Sequence, residues 1–178
     1  DEMDQFELLI SSDKIAEKVQ EIATELDEKF KDETPIFIGV LNGSFMFMAD
    51  LIRQISIDCE LDFIKLSSYH GSKSSGTVRL LKDISADITG KHVVIVEDIV
   101  DSGLTIGFIK ERMSKADPAS LTLVTFLLKP DLAKLDFPID IVGFEISPEF
   151  VVGYGLDYEQ KYRNFDGIYR LKEGLEDI

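Results

Sequence analysis

The stretch Val93 to Thr105, VVIVEDIVDSGLT, constrains the fold of this chain more than any other. Val93, Val94, Ile95 and Val96 form a β-branched apolar run, which suits a strand covered on both faces. Glu97 and Asp98 follow, where the strand is expected to leave the sheet. Asp101, Ser102 and Gly103 punctuate a turn, and Thr105 opens a helical pattern through Ile106, Ile109 and Met113. A strand that runs into a helix N-terminus leaves unpaired backbone N–H groups at a positive dipole end, which makes an anion site. Ser102 and Thr105 add hydroxyl donors there. The acids need a different partner, because carboxylates repel a bound phosphate: sugar hydroxyls, a metal, or a proton to be removed. Phosphate donors beside diol-binding acids describe a site for a phosphorylated ribose.

The same alternation runs along the chain. Ser12 or Asp13 caps a first helix with the apolar stripe Ile15, Val19, Ile22, Leu26 and Phe30. Pro35 ends that helical region, and Ile36 to Leu41 reads as a buried strand. Asn42, Gly43 and Ser44 turn into a helix over Phe45 to Ile55. Strands follow at Cys59 to Leu66, Val78 to Leu81, Ser120 to Leu128 and Ile139 to Phe144. Ser67 to Gly76, SSYHGSKSSG, is small and polar without periodicity, which predicts a mobile loop with His70 as a solvated member. His92 begins a strand in a structural role. No repeat, linker or low-complexity tract interrupts the 178 residues, so one α/β domain is expected. Its sheet should be mostly parallel with helices on both faces. Ligands of such sheets bind beyond the carboxyl ends of the strands, where both the Asn42 turn and the Asp98 to Thr105 turn lie.

A net charge of −15 argues against a nucleic acid partner, because phosphate backbones are bound by Lys and Arg. A small anionic substrate remains compatible if a few basic groups and a cation are focused in a cleft. Cys59 is the single cysteine, so neither an internal disulfide nor a cysteine zinc cluster can form, and it reads as a small buried hydrophobe. No apolar run approaches the ~18 residues of a membrane span, and the acidic N-terminal stretch does not fit a secretory signal. The simplest location is cytoplasmic, without a membrane partner.

VVIVEDIVDSGLT resembles the phosphoribosyl-pyrophosphate motif of the type I phosphoribosyltransferases, and within them the hypoxanthine-guanine branch, with its Glu-Asp pair, its Asp and its Ser/Thr-Gly-x-Thr ending. The resemblance implies that family's fold: one domain over 1–178, with a small hood from the chain ends near 1–12 and 146–178 and a mobile loop near 67–83. It assigns Glu97 and Asp98 to the ribose hydroxyls, directly or through a second magnesium. It assigns Ser102, Gly103, Leu104 and Thr105 to the 5-phosphate, and Asp101 to the removal of the purine proton.

Further segments match in the family order. VLNGSF resembles the pyrophosphate loop, which places Leu41, Asn42 and Gly43 on pyrophosphate and implies a strained peptide at Leu41–Asn42, with cis geometry among the options. Many relatives carry Lys at the position of Asn42; the change removes a charge but keeps the backbone donors. Lys129 ends the strand TLVTFLLK. The resemblance has it donate to the six-position oxo group of the purine, selecting oxopurines over adenine. FVVGYGLDYEQKYRNF, Phe150 to Phe165, carries two glycines that weaken both strand and helix, and it reads as a hood loop over a flat ligand. There the resemblance implies Phe150 stacked on the purine, the Val151 backbone and Asp157 at the base, Asp157 also as a magnesium ligand, and Arg163 on pyrophosphate. Ser68 and Tyr69 fall where the catalytic lid begins.

The activity so implied is purine salvage: transfer of a 5-phosphoribosyl group from phosphoribosyl pyrophosphate to hypoxanthine, and to guanine beside it, giving IMP or GMP and pyrophosphate. Mg2+ is the implied cofactor and a homodimer or homotetramer the implied assembly. Two alternatives use the same residues. One is a regulatory protein that senses phosphoribosyl pyrophosphate without turnover, against which Lys129, Phe150 and Asp157 argue by reading a base. The other is a nucleotide hydrolase, against which the lack of a G-x-x-x-x-G-K-[ST] segment argues.

Overall fold

The computed structural model describes residues 2–69 and 77–172; His70 and most of the predicted polar loop lie outside the described residues. The first strand, β1 (Phe6–Ile10), leads into helix α1 (Ser12–Lys29), followed by β2 (Ile36–Leu41) and α2 (Phe45–Gln54). Then come β3 (Glu60–Tyr69), β4 (Thr77–Lys82), β5 (His92–Val100), α3 (Leu104–Ser114), β6 (Ser120–Leu128) and β7 (Ile141–Glu145). Short strands β8 (Val151–Val152) and β9 (Ile168–Leu171) close the described chain. No helix among the described residues is long and apolar enough to cross a membrane.

Six strands form the central sheet in the order β4-β3-β2-β5-β6-β7, parallel except for the edge strand β4. The sheet separates two cores by the two-residue period of a strand. Phe37, Val94, Val96, Val124 and Phe126 face α1 and α2 and join Leu26, Phe47 and Leu51. Ile36, Ile38, Val93, Ile95 and Leu123 face the other way and meet Ile106, Ile109 and Met113 of α3. The α1 stripe is buried throughout, from Ile15 to Phe30. Strand order reverses between β2 and β5, so the crevice at their carboxyl ends is where a doubly covered sheet admits a ligand. Over one edge of the first core sits the hood, an antiparallel sheet β1-β9-β8 built from both ends of the chain.

Several boundaries differ from the sequence expectations. Ser11, not Ser12 or Asp13, caps α1, its hydroxyl accepting from Lys14 N at 3.3 Å, so the hood's first part ends there. Strand β5 does not leave the sheet at Glu97: it runs on to Val100, with Glu97 opposite Thr125 and Val100 opposite Leu128 of β6. Helix α3 starts at Leu104 rather than Thr105, because Gly103 supplies the left-handed cap at φ 97°. Of the region near 67–83, Val78 to Leu81 is strand as read from the sequence, within β4, but Ser67 to Tyr69, expected as loop, are strand as well. Ser67 to Tyr69 pair with Thr77 to Arg79 as an extended hairpin. Strand β7 begins at Ile141, two residues after Ile139. Within the hood loop, Val151 and Val152 form a buried two-residue strand, and Gly153 (φ 101°) and Gly155 (φ 99°) occupy the left-handed region that glycine tolerates. Cys59 stands just before β3 and packs partly buried against the first core, where burial and then Asp58 push its thiol up. His92 does open β5, with its Nδ1 2.7 Å from Ser120 Oγ.

Candidate active site

The cleft at the switch point has a volume of about 380 Å³ and runs from Leu41 and Gly43 at the end of β2 to the β5–α3 connection. Glu97, Asp98, Asp101, Ser102, Gly103, Leu104 and Thr105 all line it. The β5–α3 turn is held from behind. Lys134 N donates to Ser102 O at 3.0 Å, and Leu135 packs so tightly under Gly103 that a side chain there would meet its Cδ2 at 2.5 Å. The first turn of α3 therefore presents its N–H groups to the cleft, where no intrahelical acceptor reaches them.

Glu97 and Asp98 sit inside the strand rather than beyond it. Glu97 is only 3% exposed, and its Oε2 has no hydrogen-bond partner among the described residues. Burial, and next the adjacent Asp98 carboxylate, push the Glu97 carboxyl well above its ordinary range. Burial raises Asp98 as well, against the opposing pull of its hydrogen bond with Glu97, the Ile99 N–H and the Arg163 charge. Two adjoining carboxylates of this kind share a proton unless a cation relieves them. The orphaned Glu97 oxygen beside Asp98 fits a magnesium ion, which needs one or two carboxylates and completes its shell with water and phosphate. No cluster of three potential ligands exists among the described residues, and Mg2+ does not require one.

The Leu41–Ser44 turn closes against these acids. The Leu41–Asn42 peptide is cis, as the resemblance allowed. Gly43 lies so close to Asp98 that an added Cβ would collide with the carboxylate Oδ2. A Cβ added at Gly155 of the hood would likewise collide with the Gly43 carbonyl oxygen. Arg163 donates from Nη1 to Gly155 O at 2.7 Å and from Nη2 to Gln160 Oε1 at 2.9 Å. Asp157 Oδ2 accepts from Gln160 N at 2.8 Å, and its Oδ1 lies 3.5 Å from Arg163. Gly43, Asp98, Asp157 and Arg163 thus meet although they come from three segments of the chain. If the turn binds pyrophosphate as the resemblance implies, Gly43→Ala is expected to displace the Asp98 carboxylate and lower kcat/KM for phosphoribosyl pyrophosphate by about 10²-fold with the far-ultraviolet spectrum unchanged; steady-state kinetics of the folded variant check this.

Lys129 directly follows β6, with its side chain at 8% exposure, so it is no solvated strand-end lysine. Its ammonium lies 3.3 Å from Asp101 Oδ2, and Asp101 is itself 54% exposed. The ion pair keeps one carboxylate oxygen in the cleft beside a cation that has further donors to give. Phe150 is 47% exposed, its ring edge-on to Tyr158 at 5.7 Å, so it does not plug the core and has a face free to stack. The Val151 side chain is buried, and its backbone is fixed by pairing with Arg170. Ser68 and Tyr69 belong to β3, at the edge of the residues outside the description. Sequence reasoning left Gln160 and the Tyr154–Asp50 hydrogen bond of 2.6 Å without a role. The Asp157-x-x-Gln160 spacing is a turn signal for the former, whereas nothing local announces a contact across 104 positions.

Comparison with known proteins gives this geometry a lineage. The model of the phosphoribosyl transferase domain matches residues 9–159. The hypoxanthine-guanine phosphoribosyltransferase of Bacillus subtilis is 45% identical over 169 residues, covering 94% of each chain. The crystal structure of a hypoxanthine-guanine phosphoribosyltransferase from Bacillus anthracis, with a HEPES molecule in its active site, superposes with a TM-score of 0.88 at 46% identity, covering 93% of this chain and 98% of that one. A hypoxanthine phosphoribosyltransferase from Trypanosoma cruzi in complex with the product IMP superposes at 0.87 with 37% identity, over 94% and 95% of the two chains. Through a match that takes in β2, its loop, the acids of β5, the α3 turn, Lys129 and the hood as far as Asp157, the chain belongs to the phosphoribosyl transferase family.

Proposed function

We propose that this protein transfers the 5-phosphoribosyl group of phosphoribosyl pyrophosphate to hypoxanthine, and to guanine beside it, in purine salvage. The observation that carries the reading is the buried Lys129 ammonium paired with Asp101 at the mouth of the phosphate-binding turn. An anion site next to a donor and a base suits a purine that must be both recognised by an oxo group and deprotonated. The hypoxanthine phosphoribosyltransferases among its relatives, one of them holding IMP, support the same substrates.

In this reading the anomeric C–O bond to pyrophosphate breaks as the C–N bond to an imidazole-ring nitrogen forms, and that ring's proton passes to Asp101. N–H groups and hydroxyls from Ser102 to Thr105 hold the 5-phosphate. Asp98, with Glu97 behind it, orients the ribose hydroxyls. Arg163 and the backbone of Leu41 to Gly43 bind pyrophosphate. Phe150 stacks on the base while Val151 and Asp157 meet its edge. Magnesium, held through Asp157 and the Glu97–Asp98 pair, would offset the charge that builds on the leaving pyrophosphate. The hairpin that carries Ser68 and Tyr69 forms a lid that keeps water from the cation-like sugar. Two or four copies would assemble in the cytoplasm.

The test is product identity. Hypoxanthine, phosphoribosyl pyrophosphate and Mg2+ are expected to give IMP, with the reaction stopped by a chelator and restored by added Mg2+. Tight binding of phosphoribosyl pyrophosphate with no nucleotide formed from any base would replace the enzyme by a sensor.

A further inference from the structure

Tyr154 is buried at 6% exposure and holds φ 49° between Gly153 and Gly155. A tyrosine does not adopt the left-handed region without contacts that keep it there. Two do. Its ring packs on Phe126 with centroids 5.0 Å apart, and its hydroxyl donates to Asp50 Oδ2 at 2.6 Å. Asp50 belongs to α2, the helix that the Leu41–Ser44 turn opens. Tyr154 belongs to the turn whose next residue, Gly155, fixes Arg163 through its carbonyl and is followed two positions later by Asp157.

The pyrophosphate side of the site is therefore assembled from two bodies, the β2–α2 connection and the hood turn. Two contacts set their relation. The Gly155–Gly43 approach sets how close they come. The Tyr154–Asp50 bond sets how the hood turn is directed along α2. We propose that the Tyr154–Asp50 hydrogen bond is a positioning latch for pyrophosphate recognition: it holds Arg163 and Asp157 in register with the Leu41–Gly43 loop. The inference rests on the pyrophosphate role given to those residues above.

The chemistry of the pair suits a latch. A phenol donating to a carboxylate in a partly buried setting makes a strong, directional bond. Burial, and then Asp50, push the Tyr154 hydroxyl far above its ordinary range, so it remains a donor at any working pH. The neighbouring Arg53 lies 3.5 Å from Asp50 but is 78% exposed, and such a pair contributes little. On the purine side, Lys129 hangs on β6 and Val151 on its pairing with β9, neither of them through α2. The latch should accordingly separate the two substrates.

Tyr154→Phe, Asp50→Ala, Asp50→Asn and the double variant Tyr154→Phe/Asp50→Ala test this in the full chain. KM is measured for phosphoribosyl pyrophosphate and hypoxanthine in the forward direction, and for pyrophosphate in the reverse direction with IMP. Tyr154→Phe keeps the ring on Phe126 and is expected to raise both KM values on the pyrophosphate side about tenfold. Asp50→Ala should match it, and the double variant should be no worse than either alone. Asp50→Asn retains an accepting oxygen and should stay near the parent protein. The hypoxanthine KM, which the latch reaches only through Asp157, should rise clearly less than the two pyrophosphate-side values. A lower melting temperature with all three KM values unchanged, or an equal rise in all three, would overturn the latch. Calorimetric binding of phosphoribosyl pyrophosphate to the same variants needs no turnover. An inactive parent protein would thus count against the transferase, while the ratio of affinities still decides the latch.

Discussion

Asp101→Asn is expected to fold, to bind phosphoribosyl pyrophosphate as the parent protein does, and to lose about 10²–10⁴-fold in kcat. The carboxylate is 54% exposed in the cleft, and an amide of the same shape still offers an oxygen to the buried Lys129 ammonium. What it removes, in the proposed reading, is the proton acceptor, and an amide oxygen cannot take that role at neutral pH. Single-turnover measurement of IMP formation separates this loss from product release. A kcat within a few-fold of the parent value would remove Asp101 from the chemistry.

Lys129→Met is the second large effect. The ammonium sits at 8% exposure and 3.3 Å from Asp101; in the proposed reading it has two duties, holding the base Asp101 in place and offering a donor to the purine oxo group. Methionine fills the same slot without charge, and burying an apolar chain in place of an ammonium should not cost fold stability. The kcat/KM for hypoxanthine is expected to fall about 10- to 100-fold, the size of one hydrogen bond to a charged donor. The preference for hypoxanthine over adenine should narrow with it, because the group that penalises an amino substituent has gone. Since both residues act through one ion pair, the double variant with Asp101→Asn should lose less than the sum of the two in free energy. Competition between hypoxanthine and adenine in one reaction checks the selectivity, and an unchanged ratio would dismiss Lys129 as the discriminator.

Which parts of this could be read beforehand follows from the range of the interactions. The Val93 to Val96 run announced a strand covered on both faces because burial is written in every residue of it, and the structure puts all four inside the two cores. The point where that strand ends was not legible. Glu97 and Asp98 look like residues on their way to solvent, yet pairing with Thr125 and its successors in β6 keeps the strand in the sheet to Val100. That partner lies 28 positions away, and charge there serves the site rather than the fold. The same reason hides the hairpin. Ser67 to Tyr69 are polar and small, and only their register with Thr77 to Arg79 makes them strand.

For the site, residue types at turns were informative: Gly43 of the Leu41–Ser44 turn and the Asp-Ser-Gly turn stand where the cleft is. Sequence could not supply what joins those turns. That Gly43 is packed on Asp98, that Gly155 is packed on Gly43, and that Tyr154 reaches Asp50 are facts of three-dimensional approach, each across a long stretch of chain. Lys129 is the instructive intermediate case. Its position at a strand end before Pro130 suits a solvated side chain equally well, and burial against Asp101 is what separates the two.

The most direct measurement is pyrophosphate release from phosphoribosyl pyrophosphate and Mg2+ with hypoxanthine, guanine, xanthine and adenine offered in parallel. The account predicts release that depends on an added base, occurs with oxopurines and is absent with adenine. Release that is equal for adenine and hypoxanthine, or that proceeds without any base, would contradict it.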